Sequence, residues 1–293
     1  MNKNLLSILL FISLLISCKG KDETAPAYIH IEDVDFKYEN VSTVGNGGTS
    51  ITDVWVFNND DLLGVYQLPA TIAVTAEGPN EIGIRAGIKL NGISATREYF
   101  AFYESWKKDI TLTPFDTVVL EPEVKYYSNT QLSFNETFED VVLKLDTASF
   151  SDVSLVRTKI NGEPTFLDNY VGLATLTSDK PILKTYNAQL FMVPATSSLP
   201  IYLELDYKCN QEFQIAAILQ LPGNAATEIQ SITLRSTIED GEMKWKHIYL
   251  DLTDYFIGQI TASGFGFSIT AYHSSVNQEG YIYIDNTKVV NSN

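Results

Sequence analysis

The sequence predicts an all-β chain folded as two successive sandwiches. Apolar and polar residues alternate in short segments divided by turn-forming residues, and no segment sustains an apolar stripe of helical period. Aromatic and β-branched residues, which suit a pleated half-buried surface, are abundant. The chain has 293 residues, which at about 100–200 residues per domain is room for two.

The opening segment, MNKNLLSILLFISLLISCKGKDETAP, stands apart. Lys3 supplies a positive start, and residues 5–16 are almost wholly Leu, Ile and Phe. A membrane-crossing helix needs about 20 apolar residues. The shorter run here has the length of a signal-peptide core. Leu15-Ile16-Ser17-Cys18 resembles the bacterial lipobox. That resemblance implies a signal at 1–17, cleavage before Cys18, and acylation of Cys18, with 18–27 as a tether. Two or more acyl chains hold a protein on a membrane durably, where one does not. Lys21-Asp22-Glu23 resembles the short signal that sends lipoproteins to the outer face of some outer membranes. The expected location is therefore the outer membrane, at the cell surface.

Charge narrows the partners. Twenty Lys and Arg stand against 36 Asp and Glu, a net charge of −16. Loss of Lys3 with the signal leaves −17. Such a surface repels phosphate backbones, so nucleic acid is excluded as a partner. Of the two cysteines, lipid on Cys18 leaves Cys209 without a disulfide partner.

Residues 28–125 are expected to form the first sandwich. ITDVWVF leads into the Asn58-Asn59-Asp60-Asp61 turn cluster, then LLGVYQL and PATIAVT. A turn at Glu77-Gly78-Pro79-Asn80 precedes EIGIRAGI, and DITLTP and DTVVLEP add strands. Gly64, Pro69, Glu77 and Gly78 carry a resemblance to the PEGA-type and related immunoglobulin-like modules of bacterial envelope proteins.

EPEVKYYSNTQ marks the boundary, and 130–293 form the second sandwich. Its strands include YLELDYK, FQIAAILQL, EIQSITLRS, KWKHIYLDL, GFGFSITAY and EGYIYIDNTKVV, a number and spread that fit a jelly roll. Phe138-Glu139-Asp140, read as an opening strand, and Tyr283-Ile284-Asp285-Asn286 near the end resemble the termini of jelly-roll carbohydrate-binding modules. That resemblance implies glycan binding. It also implies a structural calcium held by Glu139, Asp140 and Asp285, since calcium takes six to eight oxygen ligands.

Little in the chain points to catalysis. His30, His247 and His273 are scattered, so no zinc pattern exists. No nucleophile elbow or Walker loop occurs. Glu204-Leu205-Asp206 resembles part of the Glu-x-Asp-x-x-Glu strand of jelly-roll glycoside hydrolases. A retaining hydrolase needs a second carboxyl about 5–5.5 Å away, and its expected place is occupied by Cys209. An enzyme is the third reading, after glycan binding and after a structural or adhesive subunit that binds another envelope protein.

Alternation also proposes a binding face. Leu203, Leu205, Ile248, Leu250, Ile282 and Ile284 should face the core. That turns Tyr202, Glu204, Asp206, Tyr249, Tyr281 and Tyr283 outward as a ligand surface of tyrosines and acids. Outward tyrosines also occur simply as cross-strand pairs. Trp106 and Trp245 are alternative platforms, and the first sandwich is read as a spacer.

Overall fold

The computed structural model describes residues 25–38, 47–162, 170–193, 200–276 and 278–292. The signal, Cys18 and Lys21-Asp22-Glu23 lie outside these residues. Strands dominate, and the one helix among the described residues is a single turn, α1 (Thr253–Phe256). The chain is all-β, as its alternation predicts.

Ten strands make the first sandwich: β1 (Ala27–Ile31), β2 (Asp35–Phe36), β3 (Ile51–Asn58), β4 (Asp61–Gln67), β5 (Ala70–Val74), β6 (Gly78–Lys89), β7 (Arg97–Tyr99), β8 (Trp106–Leu112), β9 (Thr117–Leu120) and β10 (Glu123–Val124). One main sheet has the order β5-β1-β9, the other has β4-β3-β6-β7 with β8 also on β6, and β2 and β10 pair separately as a two-stranded ribbon. Ile29, Ile31, Ile72, Val54, Val56, Ile82 and Ile84 from the two sheets share one core. β3 and β4 are joined at Asn59-Asp60, both with positive φ, the geometry of a two-residue hairpin turn. The turn expected at Glu77–Asn80 is displaced, because β6 already starts at Gly78 and pairs Pro79 with Thr111 of β8. Over 78–81, β8 is the strand partner and β3 joins only at Ile82, so a proline is accommodated on a one-sided stretch.

The second sandwich contains β11 (Thr130–Glu136), β12 (Leu145–Thr147), β13 (Val156–Lys159), β14 (Tyr170–Leu176), β15 (Ile182–Asn187), β16 (Tyr202–Cys209), β17 (Phe213–Gln220), β18 (Thr227–Leu234), the small hairpin β19 (Ile238–Glu239) and β20 (Glu242–Met243), β21 (Lys246–Asp251), β22 (Gly264–Tyr272) and β23 (Gly280–Ser292). A six-stranded sheet runs β13-β14-β23-β16-β21, with β11 also on β23. It faces a five-stranded sheet, β12-β15-β22-β17-β18. Leu203, Leu205, Ile248, Leu250, Ile282 and Ile284 line the core between them, against Ile215, Phe265, Phe267 and Ile269.

Phe138-Glu139-Asp140 is not a strand, contrary to the sequence reading. β11 ends at Glu136, whose carboxylate accepts the Phe138 N–H at 2.7 Å and the Lys144 N–H at 2.5 Å. These two bonds fold the chain back immediately after the strand, and Phe138 sits at φ 57°.

The first sandwich is also more than a spacer. Its core includes Tyr202, Tyr249 and Val290 of the second. Leu90, just past β6, forms a parallel bridge with Tyr249 of β21. The Asn91 N–H donates to the Tyr249 carbonyl at 2.8 Å, and the Asn91 side-chain oxygen accepts the Asp251 N–H at 2.9 Å.

Candidate functional site

The six-stranded sheet of the second sandwich has a core face and an outer face, and register divides the outer face into rows. Val156 pairs with Leu173, Leu173 with Tyr283, and Tyr283 with Lys208. Trp245 extends this row, since its ring centroid lies 6.3 Å from that of Tyr283. The next row runs through Asp285, Asp206 and His247. Beyond it stand Glu204, Tyr249 and Lys288, then Tyr202, Asp251 and Val290.

The inner rows are covered by the first sandwich. Tyr202, Glu204, Asp206 and Tyr249 are each at most 2% exposed. These four were expected on an open ligand face, and that expectation fails. Alternation turned them away from the core of their own domain, but a second core closes over them. Phe100 stacks on Tyr202 with centroids 5.2 Å apart and tilts against Tyr249 at 4.9 Å. The Tyr103 and Tyr249 hydroxyls lie 3.1 Å apart.

A buried polar network fills the seam. Tyr126 donates its hydroxyl to the Glu204 carboxylate, 2.8 Å from Oε2 and 3.0 Å from Oε1. Lys288 Nζ and His247 Nε2 each approach Glu204 Oε2 at 3.4 Å. His247 Nδ1 lies 2.8 Å from Asp206 Oδ1. Asp206 Oδ2 accepts the Gly48 N–H at 2.9 Å and the Asn286 amide at 3.0 Å. Gly47 lies close on this surface, where a Cβ would meet the Asn286 Cβ at 3.2 Å.

These contacts set the charge states. Burial by itself would raise the Glu204 pKa, but Lys288, His247 and Tyr126 outweigh it and hold the carboxyl below its ordinary 4.5. Burial would lower that of His247, but Asp206 and Glu204 outweigh it and hold the imidazole above 6.5. The seam is therefore a buried cluster in which the carboxylates of Glu204 and Asp206 face the side chains of Lys288 and His247.

Lys288 escapes a sequence reading because strict alternation puts residues 285 and 288 on opposite faces. β23 carries a bulge: Glu204 pairs with Lys288 but Asp206 pairs with Asp285, and Asn286 takes φ 46°. The extra residue returns Lys288 to the outer face beside Glu204. Asn tolerates the left-handed conformation better than most residues, so Asn286 was the available signal.

The outer rows are not closed over in the same way. Tyr281, Tyr283 and Trp245 are half-buried. Lys208 Nζ sits 4.8 Å from the Tyr283 ring centroid and 5.0 Å from that of Trp245. Beside this row an open groove of about 750 Å³ is lined by Leu173, Thr175 and Thr177 of the β14 side and by Asp152, Ser154 and Val156 opposite. Thr175 pairs directly with Tyr281. Two of the six expected ligand residues, Tyr281 and Tyr283, are thus cross-strand partners of the groove residues Thr175 and Leu173 without lining the groove themselves. Trp106 instead packs partly against the core of the first sandwich.

The expected calcium ligands are not brought together. The Glu139 carboxylate accepts the Tyr170 N–H at 2.8 Å, and Asp285 Oδ1 accepts the Asn286 N–H at 2.8 Å, while Asp140 is exposed in the turn after β11. Among the described residues, no group of three or more His, Cys, Asp or Glu side chains is arranged to hold a metal ion. The early end of β11 carries Glu139 and Asp140 off the strand that would have aligned them with β23.

Cys209, at the place of a hydrolase's second carboxyl, is buried in the core, and burial pushes its thiol up to about 11. It is a packing residue, and the Glu204–Asp206 pair lies under the first sandwich with no substrate access.

No family model matches the chain, and no curated protein matches it. Several solved structures are similar at low identity. A carbohydrate-binding module described as specific for non-crystalline cellulose is 16% identical, covers 53% of this chain and 91% of its own, and has a TM-score of 0.39. A carbohydrate-binding module of the β-sandwich superfamily, described as having promiscuous specificity, is 12% identical, covers 92% and 100%, and has a TM-score of 0.38. The K3 adhesin domain of Lys-gingipain from Porphyromonas gingivalis is 12% identical, covers 55% and 99%, and has a TM-score of 0.35. At these scores the functional reading rests on the geometry of this chain.

Proposed function

We propose that this protein is a non-catalytic lipoprotein of the outer membrane, facing outward, that binds glycan on the uncovered rows of its second sandwich. One observation carries the binding reading: the Leu173–Tyr283–Lys208–Trp245 row borders an open groove lined by side-chain hydroxyls and a carboxylate. Aromatic rings accept the C–H faces of a sugar, and Ser, Thr and Asp side chains exchange hydrogen bonds with its hydroxyls. The groove has the volume of small-molecule sites, about 300–1,000 Å³. The anchor rests on Cys18 and its preceding residues, and surface display rests on Lys21-Asp22-Glu23.

A glycan array probed with residues 19–293 tests the reading. Binding to a defined glycan class should be lost in Tyr283→Ala and in Trp245→Ala. Each change removes one cation–π contact with Lys208, worth about 0.5–1 kcal/mol where exposed, so folding should survive. Absence of any glycan ligand, together with co-purification of one envelope protein from cells, would replace the glycan reading with that of an adhesive subunit.

A further inference from the structure

We propose that the groove between the two sandwiches is a second ligand site, built by both domains and taking an organic cation that bears an ammonium group. The groove is open, about 580 Å³ in volume, and lies apart from the glycan groove. Its first wall is aromatic. Trp55 of β3 lies directly over Gly87 of β6, where a Cβ would stand 2.3 Å from indole Cζ3. Only glycine lets the ring settle there. Trp55 is half-buried and lines the groove, so one side of the indole is packed on backbone while the other meets the opening. Tyr99 of β7 is 44% exposed and stands nearly perpendicular to the indole, at 79° with centroids 6.2 Å apart. The two rings make a rigid right-angled corner.

The opposite wall comes from the second sandwich. Tyr202 and Asp251 are cross-strand partners there, and Asp254 follows in α1. Glu98 stands beside Tyr99 on the first wall. Arg97 also lines the groove, but its guanidinium is committed to Asp53 at 2.5 Å and to the Gln67 side chain at 3.1 Å. Burial, and then the charge of Asp251, raise the Glu98 pKa, so the acids from the two domains repel across the gap. An ammonium group between them would relieve that repulsion while its carbon body lies on the indole. Aromatic faces attract such cations, and the net charge of −16 draws cations toward the whole molecule. The Tyr99 ring already carries the Arg85 guanidinium, 5.0 Å from its centroid, so the face offered to a ligand is the Trp55 indole. A carbon-borne ammonium uses that face and the acids together, whereas a bare metal ion leaves the indole unused.

The source of the ammonium is resolved by two probes, a glucosamine tetramer and spermidine, titrated calorimetrically into residues 19–293 at low and moderate salt. The N-acetylglucosamine tetramer serves as the uncharged control. Binding by either cationic probe should weaken at least tenfold in Trp55→Ala and in Asp251→Asn, and should fall with salt. Trp55→Phe should retain part of it, which covers the case in which Trp55→Ala misfolds. A response to the tetramer assigns an amino sugar, and a response to spermidine alone assigns a free polyamine. The proposal is overturned if neither probe binds, if Trp55→Phe and Asp251→Asn bind like the native chain, or if the acetylated tetramer binds as tightly. It is equally overturned if affinity is lost only in Trp245→Ala, which would place the cation in the glycan groove. Because Trp245 stands on the outer row of the proposed glycan site and does not line this groove, failure of either site is read separately.

Discussion

Replacing Lys288 by methionine removes one cation from the interdomain seam and leaves the shape of the side chain nearly intact. Glu204 is fully buried and the Lys288 side chain is 5% exposed, so the pair is held out of water. Breaking a buried ion pair by deleting one partner costs about 3–5 kcal/mol, because the remaining charge stays buried and poorly compensated. Glu204 keeps the Tyr126 hydroxyl and His247, which puts Lys288→Met near the low end, about 3 kcal/mol. For a domain of 150–250 residues each kcal/mol moves the melting temperature by about 2–4 °C, so a fall of about 6–12 °C is expected. Thermal and urea unfolding of residues 19–293 near neutral pH measure it. The double variant Glu204→Leu, Lys288→Met should recover most of the loss, since apolar replacements of buried pairs are often neutral or stabilising. A single variant that melts with the native chain would refute the reasoning, because it would mean that water reaches the seam and that the two sandwiches separate freely in solution.

Stability should also respond to pH on both sides. Glu204 has a lowered pKa, so its contribution is present above 4.5 and disappears as pH falls through its folded value, while His247 has a raised pKa, so its contribution is present below 6.5 and disappears as pH rises through its folded value. The seam is then firmest between these limits, and His247→Gln should flatten the alkaline side of a melting-temperature profile; an unchanged profile would remove His247 from the account. Tyr249→Ala should cost about 3–5 kcal/mol, as for other large buried aromatics, against little change for Tyr283→Ala, and equal losses in urea unfolding would contradict the division into covered and uncovered rows. Cys18→Ala should release the protein from membranes, and sedimentation of that variant with the outer membrane would defeat the lipobox reading. Chelation should leave the melting temperature of the whole chain unchanged, and a fall restored by millimolar calcium would show that Glu139, Asp140 and Asp285 serve an ion after all.

The sandwich architecture was legible because side-chain alternation is a local property. Leu203 and Leu205, Ile248 and Leu250, and Ile282 and Ile284 all face the core that their spacing assigns. What alternation leaves open is the fate of the opposite face. Tyr202, Glu204 and Tyr249 are met by Phe100, Tyr103 and Tyr126, residues 78 to 146 positions earlier whose approach depends on how two complete domains dock. No local pattern encodes that docking. Tyrosine mixed with acid along one strand face suits an exposed sugar platform and a buried hydrogen-bonded seam equally well, and the chain uses the same face for the seam at one end and for an open groove at the other. The backward turn held by Glu136 was similarly hidden, since FNETFED alternates well enough to pass as one strand.

The bulge at Asn286 has a consequence for how this chain can vary in length. Before it, even-numbered residues of β23 point into the sandwich; after it, Val289 does so, while Lys288 and Val290 point to the seam. Deleting Asn286 would remove only the extra residue: Thr287 would follow Asp285 in plain alternation, and Lys288 and Val289 would keep the faces they have now. The loss of Thr287 with the bulge kept would instead turn Val289 toward the seam and Lys288 into an aliphatic core, two errors from one lost amino acid. A substitution at 286 merely strains one backbone conformation and keeps the downstream residues in step. The last strand can therefore shed one residue at its bulge, whereas the same loss beyond the bulge exchanges its two faces.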